Sequence, residues 1–169
     1  FELRRSGDSG WTVHQEGTYT EGDDNNRYMG GAAMDGDGNI AIAYMLTGKT
    51  RFPSIAYNGR YAGDQAGTLT FGESVLIEGT SPIASDRDGD YSHMGIDPVD
   101  HCTFWFTAEY GKEGGQWGTR VSSFRAPSCG DPNPGFTLSA TNLTQEVCVK
   151  GDMQPISITA SGYNDFNGD

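Results

Sequence analysis

Ala32-Ala33-Met34-Asp35-Gly36-Asp37-Gly38-Asn39-Ile40-Ala41-Ile42-Ala43-Tyr44 sets two apolar runs on either side of a five-residue turn of Asp, Gly and Asn. Asp bonds its own backbone and Gly supplies positive φ, so this is a hairpin signature. The pattern returns 62 residues later: Met94-Gly95-Ile96-Asp97 falls on Ala32-Ala33-Met34-Asp35, and Cys102-Thr103-Phe104-Trp105-Phe106 on Ile40-Ala41-Ile42-Ala43-Tyr44. Pro53-Ser54-Ile55-Ala56-Tyr57 and Thr119-Arg120-Val121-Ser122-Ser123 follow at a spacing of 66. Strand, acidic turn, strand, loop, strand, repeated at such a period, is the pattern of radially repeated four-stranded antiparallel blades. The competing reading is a single irregular sandwich with two similar hairpins.

Outward from this repeat the chain stays β throughout. Helical spacing of apolar residues is broken everywhere by Gly or Pro. Alternating runs predict strands over Trp11–Tyr19, Tyr28–Met34, Ile40–Leu46, Phe52–Tyr61, Thr68–Ile77, Tyr91–Ile96, Cys102–Tyr110 and Trp117–Phe124. Asp35–Asn39, Tyr57-Asn58-Gly59 and Asp86–Asp90 are the expected turns. Residues 1–129 therefore read as β-propeller blades. Gly130–Gly135, with two Pro and two Gly, is a linker, and residues 136–169 read as the first strands of an immunoglobulin-like β-sandwich. The three strands expected there are Phe136–Ala140, Gln145–Val149 and Pro155–Ala160. Phe1-Glu2-Leu3-Arg4-Arg5 already alternates as a strand, and Asn164–Asp169 stops in a turn-like run, so both ends read as cuts in a longer protein.

The chain has 23 acidic and 11 basic residues among 169, a net charge of −12. Phosphate binding needs clustered Lys and Arg, so nucleic acid is not an expected partner. No apolar run approaches the roughly 18 residues of a membrane span, and no insertion is expected.

Trp11-Thr12-Val13-His14-Gln15-Glu16-Gly17-Thr18-Tyr19, Arg27-Tyr28-Met29-Gly30-Gly31 and Ala33–Ala41 resemble the last blades of large secreted bacterial β-propeller proteins, of sialidase-like or uncharacterised exoprotein type. So do Gly89-Asp90-Tyr91-Ser92 and Asp97-Pro98-Val99-Asp100-His101-Cys102-Thr103-Phe104-Trp105-Phe106. The resemblance covers roughly residues 1–129 and implies export to the medium or cell surface, followed by sandwich domains. It carries no catalytic residues to this chain. One departure is Asp86-Arg87-Asp88-Gly89-Asp90, more acidic than the Arg-Trp-Gly-Asp form expected there.

Of the three cysteines, Cys102 opens a strand and Cys129 closes the last blade segment. A disulfide between them would pin the final strand and contribute roughly 3–4 kcal/mol in the chain-entropy account; buried free thiols are the alternative. Cys148 is left without a partner in this stretch.

Asp35-x-Asp37-x-Asn39 and Asp86-x-Asp88-x-Asp90 place oxygens at alternate positions, as a loop wrapping Ca2+ does, and Asp97 stands at the twelfth position of the second. Neither is an EF-hand, because Ile40 and Tyr91 stand where that loop needs Gly. The first reads foremost as a turn; the second, with three crowded carboxylates, reads as a Ca2+ loop. His14, His93 and His101 accompany no nucleophile motif, and no catalytic residue is expected. The expectation is a non-catalytic secreted or cell-surface segment for adhesion, display or extracellular assembly, stabilised by calcium. Its candidate partners are the rest of its own chain, surface glycans and other copies of itself. The alternative is part of a glycan-binding or glycoside-hydrolysing propeller.

Overall fold

The structure is a computed structural model that describes residues 1–85, 87–127 and 129–130, together with the backbone of strands Gly135–Ala140 and Ile158–Tyr163. The chain divides into two compact units, Phe1–Gly130 and Asp131–Asp169. Among the described residues every sheet is antiparallel. In the first unit, β1 (Glu2–Arg4) pairs with β2 (Thr12–Gln15). Strands β3 (Asn25–Met34), β4 (Ile40–Gly48), β5 (Arg51–Arg60) and β6 (Ser74–Ile77) then form a four-stranded meander. A second meander has three strands, β7 (His93–Ile96), β8 (Thr103–Lys112) and β9 (Gln116–Arg125). The described part of the second unit is one antiparallel pair, β10 (Gly135–Ala140) and β11 (Ile158–Tyr163), in register from Gly135↔Tyr163 to Ala140↔Ile158. Gln145–Val149 lies outside the described residues. Among those residues no sheet closes on itself, and no helix is long and apolar enough to cross a membrane.

The sequence repeat falls on equivalent strands: β3, β4 and β5 of the first meander correspond to β7, β8 and β9 of the second. The two equivalent turns also touch, since Gly36 N–H donates to the carbonyl of His101 at 2.7 Å. His101 holds a positive φ of 55°, a left-handed conformation that turns tolerate in such residues.

Side chains alternate across each strand, so β4 has two faces. Ala41, Ala43 and Met45 point one way and, with Ile55 of β5, pack on Met94, Phe104, Phe106 and Ala108 of the second meander. Phe104 and Phe106 are fully buried, whereas Trp105 between them turns outward and is 44% exposed. The Phe124 ring is stacked between Tyr57 of the first sheet and Phe104, with centroids 3.8 and 5.4 Å away. Gly31 permits this closeness, because a Cβ there would stand 2.9 Å from the Cβ of Met94.

One expected turn is corrected. Tyr57-Asn58-Gly59 lies inside β5, where Asn58 pairs with Ile42 and Gly59 with Ala41. Asn58 is buried and uses its amide on Tyr19 and on Gly59 N–H. Gly59 is needed for space, since its missing side chain leaves room for the Phe71 ring. The polar and small residues that resemble a turn signal are accommodations to packing.

Cys102 and Cys129 are joined by a disulfide with Cα atoms 5.5 Å apart. Both are buried, against Ala126, Tyr61 and Phe71. The bridge ties the segment after β9 to the entry of β8.

Candidate functional site

The first acidic turn is spent on the protein itself. Asp35 is buried; its Oδ1 accepts from the backbone N–H of Asp37 (3.0 Å) and Asn39 (2.8 Å), and its Oδ2 accepts from Asn39 Nδ2 (2.8 Å). Asn39 Oδ1 in turn accepts from Ala62 N–H at 2.9 Å, and Asp37 Oδ2 from Gly130 N–H at 3.1 Å. This turn fastens the β3–β4 hairpin to the end of β5 and to the disulfide segment. A cation here would compete with these donors for the same oxygens.

In the second acidic stretch, Asp86 lies outside the described residues. Asp88 Oδ2 accepts from the Tyr28 hydroxyl at 2.6 Å, and Asp90 pairs with Arg87. Burial, then the bond to Asp88, push the Tyr28 phenol above its ordinary value. Asp97 is elsewhere. The extended β7 separates it from Asp90, and four strand residues alone span about 13 Å. Its Oδ1 accepts from Val99 N–H (2.9 Å) and its Oδ2 from the Trp105 indole (3.1 Å), which together hold its carboxyl below the usual range. The carboxylate that does reach the loop is Glu109 of β8, which the sequence did not single out: it accepts from Gly89 N–H at 2.9 Å and lines one surface cavity with Asp88 and Asp90. Among the described residues, no three His, Cys, Asp or Glu side chains converge as a metal cage requires. His14 and His93 are exposed residues on separate strands, β2 and β7.

A polar network sits on the second face of the four-stranded sheet. This face carries Ile42, Tyr44 and Leu46 of β4, and Ser54, Ala56, Asn58 and Arg60 of β5. Ser54, Asn58 and Arg60 are buried. At its centre Tyr44 donates to Glu73 Oε2 at 2.7 Å. The Arg27 guanidinium grips the same carboxylate through Nε at 2.6 Å and Nη2 at 3.1 Å, and reaches Asp23 with both terminal nitrogens. Asn58 Nδ2 donates to the Tyr19 hydroxyl at 2.9 Å, which donates to Glu21 at 2.5 Å. Burial raises the Tyr44 phenol, and its hydrogen bonds to Tyr19 and Glu73 raise it further. Burial also pushes the Glu73 carboxyl up, but Arg27 and Tyr44 outweigh it and leave Glu73 below its ordinary value. The hydrogen bonds that Arg27 donates to Asp23 and Glu73 raise its guanidinium above its already high value.

Beside Tyr19 this face opens into a cavity of about 240 Å³ walled by Tyr19, Ala32, Ile40, Ile42 and Leu69, with Arg60 at one side. The network was hard to foresee because its members come from four separate stretches of the chain, around Tyr19–Arg27, Tyr44, Asn58 and Glu73. The one sequence signal was a run of polar residues, Ser54, Asn58 and Arg60, at alternate positions of an otherwise apolar strand.

Compared with family models, curated proteins and solved structures, the chain matches none.

Proposed function

We propose that residues 1–129 are successive blades of a β-propeller in a secreted or cell-surface protein, that residues 136–169 open an immunoglobulin-like domain, and that the segment acts without catalysis in adhesion, display or extracellular assembly. The observation that carries this reading is the pair of antiparallel meanders: their strands match in sequence order, their faces pack through Ala43, Met45, Phe104 and Phe106, and their equivalent turns are hydrogen-bonded. Up-and-down sheets stacked face to face are the unit of radial repetition. The Cys102–Cys129 bridge suits an oxidising compartment.

Calcium belongs to the same proposal. Its ligands would come from Asp86, Asp88 and Asp90, joined by Glu109, and the ion would have to displace Arg87 from Asp90. Asp97, Asp35, Asp37 and Asn39 serve turns in this reading. A glycan-binding segment is the second reading, favoured by the tyrosine-walled cavity beside Arg60.

A chromogenic glycoside panel and a glycan array separate these readings on the whole protein. The proposed function expects no turnover and no glycan retention. Retention without turnover selects the second reading, and turnover selects an enzyme. Calorimetric titration with CaCl2 should release heat and raise the melting temperature; an unchanged melting temperature removes calcium from the proposal.

A further inference from the structure

Arg60 is a charged side chain that the packing of this unit does not use up. It is the last residue of β5, opposite Ile40, and only 5% exposed. A guanidinium carries five N–H donors. Here Nη2 donates to the carbonyl of Asp64, while Nε is buried with no acceptor among the described residues. None of the ion pairs among those residues includes Arg60. The nearby Asp64 carboxylate is engaged by Thr70 Oγ1 and Tyr61 N–H, and the Glu2 carboxylate at the cavity edge by Arg4 and Gln15. An unpaired buried cation is costly, typically several kcal/mol, unless an anion reaches it.

The cavity beside Arg60 can supply that anion. Its volume of about 240 Å³ is roughly that of eight waters of liquid, enough for one small ring bearing a carboxylate. Ala32, Ile40, Ile42 and Leu69 give it an apolar wall and the Tyr19 ring an aromatic side, while Glu2, Gln15, Glu16 and Thr68 are among the polar side chains that also line it. A planar carboxylate fits a guanidinium fork through two parallel hydrogen bonds, and an apolar body fits the apolar part of the wall.

We propose that this cavity binds a small monocarboxylate with an aromatic or branched aliphatic body, its carboxylate on Arg60 and its body against Ala32, Ile40, Ile42 and Leu69. The site uses only residues of the first unit, so it depends on neither the radial arrangement nor the compartment.

The test is a ¹⁵N NMR titration of the whole chain with benzoate, phenylacetate and isovalerate, with benzamide as the uncharged control. At least one carboxylate should bind saturably and move the Arg60 Nε–H resonance, while benzamide should leave it in place. Arg60→Gln should weaken binding at least about tenfold. Ala32→Trp fills the cavity from its exposed side and leaves Arg60 intact, so it should abolish binding even where Arg60→Gln does not fold. Saturable binding of none of the three acids up to 20 mM, equal binding of benzamide, or undiminished binding in folded Arg60→Gln or Ala32→Trp would overturn the assignment.

Discussion

Glu73 shows how one side chain can hold a sheet face together. Its two oxygens take Arg27 in a forked ion pair and accept the Tyr44 hydroxyl, and the Arg27 side chain is only 8% exposed. Hydrogen bonds to a charged group at such a site contribute more than neutral ones, so Glu73→Gln should cost about 1–3 kcal/mol in urea unfolding. The folded carboxyl lies below its ordinary value, so its contribution is present above the unfolded value of about 4.3 and is lost as pH falls through the lower folded value. Urea midpoints of the wild type should therefore fall between pH 5 and pH 3 more steeply than those of Glu73→Gln. Parallel profiles would remove Glu73 as a source of the acid sensitivity.

At the scale of elements, the decisive contacts lie between β4 and β5 on one side and β7 and β8 on the other. Phe104 and Phe106 fill the space left by the small Ala41 and Ala43, with Met45 as the flexible filler. Large residues on one strand facing small ones on the other let the sheets interdigitate without voids. Phe104→Ala should destabilise by about 3–5 kcal/mol, read as a lower melting temperature with an unchanged β spectrum. Gly31→Ala acts oppositely, by crowding. Its new methyl would press on the Cβ and backbone of Met94, so a loss of about 1–3 kcal/mol is expected, and Met94→Ala, which keeps both, should not relieve it in the double variant.

For the whole molecule, the disulfide and the Asp35–Asn39 turn act as one fastening. Gly130 N–H bonds Asp37, Gly36 N–H bonds His101, and Cys102 bonds Cys129, so the last segment of the first unit is anchored to both hairpin turns. Reduction by dithiothreitol, or Cys129→Ser, should cost roughly 3–4 kcal/mol by loop entropy. Hydrogen exchange should show the loss first at β9 and its turn, with β3–β5 protected for longer. Uniform loss of protection would mean that the two meanders unfold as one cooperative body and that the bridge has no local role.

The all-β class, the position of nearly every strand and the pairing of two hairpins at a 62-residue offset were determined by local features of the chain: alternation of side chains, and Asp, Gly and Asn at the reversals. These are legible because strand period and turn chemistry act over a few neighbouring residues. Tertiary structure decided the rest. Asn58 and Gly59 resemble a turn in sequence, yet Tyr19 and Phe71, far away in the chain, hold them inside β5. Asp97 falls at a ligand position by count, yet extended β7 carries it away from Asp90, and Glu109 of β8 reaches the loop instead. Arg60 has an ordinary place at the end of a strand, and becomes a candidate anchor only because it is buried beside a cavity and, among the described residues, no carboxylate forms an ion pair with it. Which charges meet depends on which segments pack together, and no spacing along a single strand encodes that.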